Sequence, residues 1–194
     1  MFIELTDHLR CPADHDEAYL VLLPGQVEAR MVVTGHLGCP VCGRTFQVMA
    51  GELDVGGAAP GEPAPSVMDA SAMVALAGIQ GPGGYLVMVG GTAAVWRELM
   101  TLNPGVGLVA VNPGSALVDA TSVSVVRGGM IPLKANTTRG VILGPGYGND
   151  PHWVREAARV TLPGLRIVGE GADPQDWIDI MASADGVWVG TKRR

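Results

Sequence analysis

The sequence predicts an α/β protein, in which a small metal-stabilised N-terminal module precedes a mostly parallel sheet flanked by helices. Three observations carry this. All three cysteines, Cys11, Cys39 and Cys42, precede the segment Gly56-Gly57-Ala58-Ala59-Pro60-Gly61-Glu62-Pro63-Ala64-Pro65. Beyond it, short apolar runs alternate with helical patterns, as in a sheet buried on both faces. The length of 194 residues suits one ordinary domain joined to a small module. The segment itself has no periodicity and no large apolar residue, so it reads as a semi-rigid linker. The expected organisation is therefore 1–55, a linker over 56–65, and a second domain over 66–194.

In the first part, Ala18–Leu23 and Ala29–Val33 read as strands joined by a turn near Pro24-Gly25, and Thr45–Met49 as a third strand. In the second, Asp69–Gly78 reads as a small-residue helix stopped by Gly78, and Ala93–Leu102 as another helix. Tyr85–Val89, Val106–Val111, Val123–Arg127 and Val141–Leu143 are apolar strands. Pro151–Leu162 carries the clearest helix signals: Asp150 as N-cap, Pro151 in the first turn, and Pro163-Gly164 as the stop. Leu165–Val168 is a strand, Pro174–Ala184 a helix whose polar face holds Asp176 and Asp179, and Val187–Val189 a last strand.

Charged residues make up 16% of the chain and apolar residues 47%, with a mean hydropathy of +0.28. Either the 28 glycines and many alanines raise the score, or a partner covers part of the surface. A net charge of -6 argues against a nucleic-acid-binding face, and Lys192-Arg193-Arg194 reads as a solvated tail. No apolar run is long enough to span a bilayer, and Met1–Asp7 lacks the features of a signal peptide. A cytoplasmic location is expected; peripheral contact with a membrane complex stays compatible. In a reducing compartment three cysteines are better suited to a metal than to disulfides.

Cys39-Pro40-Val41-Cys42-Gly43 is a knuckle with two thiolates two residues apart. Zinc takes four N or S ligands in a tetrahedron, so the remaining two must come from Cys11-Pro12-Ala13-Asp14-His15. The fourth ligand is His15 or Asp14, and imidazole is the better donor beside thiolates. His8 and His36 sit in no knuckle. Three thiolates and no open position point to a structural site that supplies much of the folding free energy of a small module.

Leu5-Thr6-Asp7-His8-Leu9-Arg10-Cys11-Pro12 and Gly38-Cys39-Pro40-Val41-Cys42-Gly43-Arg44-Thr45-Phe46 resemble the leading helix with first knuckle, and the second knuckle with its strand, of the Trm112-like zinc ribbons. The departure is Asp14, which stands where the family's second cysteine is usual. The resemblance implies a partner of methyltransferases, or a ribbon joined to one. From about Asp69 the chain resembles class I, S-adenosylmethionine-dependent methyltransferases, with a Rossmann-like fold. Pro151-His152-Trp153-Val154-Arg155-Glu156-Ala157-Ala158-Arg159-Val160-Thr161-Leu162-Pro163-Gly164-Leu165-Arg166-Ile167-Val168 carries the likeness, with Ile131-Pro132-Leu133.

Cofactor binding in that family implies an acidic strand end, a glycine loop, and a carboxylate for the ribose. Here Tyr85-Leu86-Val87-Met88-Val89-Gly90-Gly91-Thr92-Ala93-Ala94 has Met88 in the acidic slot, with Thr92 and Ala94 where further glycines are expected. The second strand ends in Asn112, the third in Arg127-Gly128-Gly129, and Arg139 replaces an aspartate. Gly144-Pro145-Gly146-Tyr147-Gly148 lacks the Lys and Ser/Thr of a phosphate loop. His152 reads as a surface or capping residue. Trp96, Trp153, Trp177 and Trp188 read as packing residues, or as interface anchors where exposed.

The expectation is a non-catalytic interaction or scaffold subunit: a pseudo-methyltransferase with structural zinc, without S-adenosylmethionine, bound to a protein partner or larger assembly. One alternative is an active methyltransferase, with Gly90, Gly91 and Asn112 at the cofactor. Another is an adaptor that activates a separate enzyme.

Overall fold

The computed structural model of the chain describes residues 1–58, 61–117, 122–174 and 176–193. Ala59 and Pro60 of the expected linker, and Arg194 of the basic tail, lie outside the described residues. The strands are β1 (Val21–Glu28), β2 (Met31–Gly38), β3 (Thr45–Met49), β4 (Glu52–Asp54), β5 (Tyr85–Val89), β6 (Gly107–Val111), β7 (Val123–Arg127), β8 (Gly140–Leu143), β9 (Arg166–Glu170), β10 (Ile178–Ala184) and β11 (Val187–Lys192). The α-helices are α1 (Ala70–Ala77), α2 (Trp96–Leu102) and α3 (Pro151–Val160).

All the strands join one sheet, in the order β1-β2-β3-β4-β7-β6-β5-β8-β9-β11-β10. Strands β5 to β9 are parallel. From β5 the chain steps outward to β6 and β7, then crosses back to β8 and β9, which is the doubly wound Rossmann-like order. β11 enters antiparallel beside β9, with β10 outside it. The three-residue β4 pairs antiparallel with β3 and parallel with β7. It thereby carries the N-terminal meander onto the parallel sheet, a link with too few residues for periodicity to reveal.

The uninterrupted apolar runs of β5 and β6 fit a sheet covered on both faces. Leu86 and Met88 pack with Met73 and Ala77 of α1 and Trp96 and Leu99 of α2. Val87 and Val89 face α3 and Met1, Leu5 and Leu9. The leading helix expected within Leu5–Pro12 is a 3-10 helix that begins earlier and ends sooner, over Ile3–His8. It is held by Phe2 N–H donating to Ser124 Oγ at 2.9 Å and by Arg10 N–H donating to the Pro132 carbonyl at 3.0 Å.

Helix ends follow the local chemistry. Asp69 caps α1 by accepting from Ala72 N–H, and Gly78 closes it in the left-handed conformation (φ 64°). Asp150 caps α3, with Pro151 in its first turn. The helix expected over Ala93–Leu102 begins instead as a 3-10 turn, Thr92–Val95, and becomes α2 only at Trp96.

Two expectations are corrected. The hairpin turns at Ala29 and Arg30 (φ 44° and 68°), not at Pro24-Gly25. Two successive positive φ values match the twist of a two-residue hairpin. Pro24 and Gly25 sit instead at a bulge of edge strand β1, where a Cβ on Gly25 would press on Thr34. The helix expected over Pro174–Ala184 is not found among the described residues, outside which residue 175 of that segment lies; from Ile178 the chain is β10. Its small and apolar residues satisfy either period, and pairing with β11 decides the outcome. Asp179 therefore lies on a strand, where it pairs with Arg193 at 3.0 Å. Among the described residues no helix is long and apolar enough to cross a membrane.

The N-terminal amine of Met1 donates to the carbonyls of Gly51 (2.9 Å) and Val32 (3.3 Å), and burial lowers its pKa from 8.0 to about 6. Between those values the unfolded chain holds more protons, so stability should fall as the pH drops from 8 towards 6. Melting curves across that range should show Tm rising with pH, and a flat or falling Tm would contradict the buried amine.

Candidate metal centre and the crevice at the strand ends

Two turns bring the metal-ligating side chains together. The first follows Cys11, whose N–H donates to the Ala18 carbonyl at 2.8 Å. The second is closed by Cys39 N–H donating to Arg44 and Gly43 N–H donating to Cys39, with Gly43 at φ 71°. Donor atoms of Cys11, His15, Cys39 and Cys42 lie within 4.8 Å of one another. Cys11 Sγ is 3.7 Å from Cys42 Sγ, and Cys39 Sγ is 3.4 Å from His15 Nε2.

These spacings match a tetrahedral ion, because zinc–sulfur bonds of about 2.3 Å require sulfur–sulfur edges of about 3.8 Å. His15 Nδ1 lies 2.6 Å from the Asp16 carbonyl, which fixes the ring with Nε2 turned to the sulfurs. The four residues can hold a zinc ion, and Asp14 is not part of the converging group. Burial pushes the Cys11 thiol up to about 11. Burial also acts to raise Cys39, but the N–H groups of Cys42 and Val41 bring it down to about 6. Three sulfurs and an imidazole fill a tetrahedron, which leaves no position for a reacting water.

In a doubly wound sheet, ligands bind outside the carboxyl ends of the strands where the winding reverses. Here that point is the end of β5, at Gly90 (φ 70°) and Gly91. The chain itself covers it. A Cβ on Gly90 would strike the Tyr147 ring, and one on Gly91 would strike the Ala64 carbonyl. Pro65 bridges to Gly91. On the β6 side the Glu62 carboxylate accepts from Ser115 N–H at 2.9 and 3.0 Å. On the β9 side Glu170, only 4% exposed, accepts from Val67 N–H at 3.0 Å and from the Ser66 hydroxyl. Residues 62–67 thus form a strap from β6 across β5 to β9.

Asn112, at φ 48°, is buried with both polar ends of its side chain engaged: Nδ2 donates to the Gly128 carbonyl at 2.8 Å, and Oδ1 accepts from Gly128 N–H at 2.9 Å. Tyr147 stacks edge-on against Trp153 at 4.9 Å. Met88 is buried in the sheet. Arg127 pairs with Glu52 at 2.9 Å, and Arg139 donates to the carbonyls of Gln80, Gly81, Pro82 and Gly83. His152 Nε2 lies 2.7 Å from the Gly129 carbonyl at the surface. Sequence reasoning named Gly90, Gly91 and Asn112 only as cofactor contacts of an active methyltransferase, and it missed Glu62, Tyr147 and Glu170 at these strand ends. A linker rich in proline carries no signal for the surface it crosses.

No protein-family model and no curated protein matches the chain. Among solved structures it is similar to a Methanococcus maripaludis protein provisionally assigned as an S-adenosyl-L-methionine-dependent methyltransferase. The TM-score is 0.47 at 13% identity, over 64% of this chain and 84% of that one. A provisionally assigned O-methyltransferase of Agrobacterium tumefaciens gives 0.46 at 15% identity, over 64% and 81%. A chain of the complex between the Haloferax volcanii Trm112 methyltransferase activator and a candidate methyltransferase gives 0.39 at 23%, over 52% and 50%. The Rossmann-like assignment rests on the strand order and directions within this chain.

The purified protein should carry close to one zinc per chain by elemental mass spectrometry. Cys39→Ser should lose the metal and melt lower, because zinc contributes on the order of 10 kcal/mol in modules of this size. Asp14→Ala should keep it. Asn112→Asp should destabilise by about 2 kcal/mol in denaturant melts, since a carboxylate cannot donate to the Gly128 carbonyl. That variant should gain no thermal shift with S-adenosylmethionine, although it restores an acid at the strand end.

Proposed function

We propose that the chain is a non-catalytic scaffold or interaction subunit: a zinc ribbon over 1–55 and a methyltransferase-like domain over 66–194. The observation that carries this reading is the strap, whose Ala64 carbonyl and Pro65 rest on Gly91 where a cofactor would need the backbone. Asn112 supports it, because both polar ends of its side chain are bound to Gly128. A protein partner is part of this reading, as are structural zinc and a cytoplasmic location.

The second reading is an active S-adenosylmethionine-dependent methyltransferase. It is favoured by the position of the glycine pair at the end of β5, where the winding of the sheet reverses. On that reading the strap must leave for the cofactor to enter.

Calorimetric titration separates the two. The scaffold reading expects no S-adenosylmethionine binding in the micromolar range, either by the native chain or by Glu170→Gln, which loosens the strap. The enzyme reading expects Glu170→Gln to bind more tightly than the native chain, with labelled methyl transfer. Micromolar binding by the native chain would overturn the scaffold reading.

A further inference from the structure

Trp96, Trp153 and Trp188 are buried, but Trp177 is 40% exposed. Its backbone is left-handed (φ 64°), a strained conformation for a bulky residue, and is held by Arg193 N–H donating to its carbonyl at 2.7 Å. An exposed tryptophan in strained backbone gains little from burial, so its position calls for another use.

Beside it lies a cavity of about 700 Å³ lined by Asn136, Arg155, Arg159, Trp177, Lys192 and Arg193. The cations differ in how far they are engaged. Arg159 is spent on Glu156 at 2.7 Å and on the carbonyls of Ile131 and Leu133. Arg193 pairs with Asp179. Lys192 donates to the Thr161 carbonyl at 2.8 Å and to Asn136, both neutral partners. Arg155 is exposed and, among the described residues, its side chain makes no hydrogen bond or ion pair. Asp176, also in the lining, offsets one of these charges. A local surplus of cation thus sits beside an aromatic ring, on a chain whose net charge is -6.

We propose that this hollow docks an acidic segment of a partner protein, with carboxylates at Arg155 and Lys192 and an apolar side chain against Trp177. Tryptophan and arginine side by side are the residues that dominate docking energies. Charge complementarity selects the acidic partner over a basic one. The inference rests on the scaffold reading to the extent that both need a partner. Cofactor titration tests that reading independently of the hollow.

The test is fluorescence anisotropy of the full zinc-loaded chain with a short, labelled, glutamate-rich peptide carrying one central phenylalanine. Binding is expected, and Arg155→Glu and Trp177→Ser should each raise Kd about tenfold or more while leaving Tm and zinc content unchanged. A lysine-for-glutamate peptide should not bind. Equal binding of the lysine peptide, or unchanged Kd in both variants, would overturn the proposal. So would full displacement of the peptide by inorganic phosphate at the same concentration, which would make the hollow a small-anion site.

Discussion

The parallel pairing of Glu52–Asp54 with Val125–Arg127 is the constraint on which the rest of the molecule depends. Without it β7 would be an open edge of a parallel sheet, with unpaired backbone groups. β4 closes that edge with Leu53 fully buried, and Glu52 reaches Arg127 to fix the register. The pairing also settles where the N-terminal segment lies. Among the described residues three α-helices serve five parallel strands, so α3 leaves part of one face uncovered. Met1, Leu5 and Leu9 fill that gap, and one apolar cluster runs from the cysteine turns to the centre of the parallel sheet.

The strap follows from the same geometry. Val55 N–H donates to Arg127 and Gly129 N–H donates to Gly56, both at 2.9 Å, so the chain leaves β4 already attached to the end of β7. From there it can reach α1 only across the carboxyl ends of the central strands. Carboxylates engage backbone or hydroxyl donors on both sides of the crossing: Glu62 of the strap at Ser115, and Glu170 of β9 at Ser66 and Val67. Glycine at positions 90 and 91 has a role in this arrangement without a cofactor, since a Cβ at either would displace Tyr147 or Ala64. A glycine pair at a strand end is thus as well explained by close packing of the chain on itself as by a ligand.

The sequence was legible where one local signal dominated. Tyr85–Val89, Val123–Arg127 and Thr45–Met49 were read with their observed limits, because apolar runs or clean alternation leave little choice of period. Gly78 and Asp150 were legible because capping is local chemistry, whereas Asp69, read as the first residue of its helix, is the cap in front of it. The four candidate metal ligands were legible because knuckle spacing reflects the ion's geometry. What was not legible depended on partners distant in sequence. β4 is a strand because β7 offers an edge, β10 because β11 does, and the hairpin turns at Ala29-Arg30 because Gly25 packs against Thr34. Asn112 was visible as a missing carboxylate, but its reciprocal pair with Gly128 spans 16 residues and has no local trace.

The candidate metal centre and the strap are connected by hydrogen-bonded sheet. Cys39 follows directly on β2, and Arg44, which accepts from Cys39, leads into β3. From β3 the ladder runs through β4 to β7, and the strap departs from the end of that ladder. A tetrahedral site of three sulfurs and one imidazole adds rigidity to this path but offers no reactive position. An ion held there would act on the crevice mechanically: it would fix the meander, the meander is paired with β4, and β4 sets where the covering segment begins. Rigidity at the four ligands would therefore be transmitted along the ladder to the place where the strap begins, and any opening of the crevice would have to come from the strap itself, at Glu62, Ser66 and Val67.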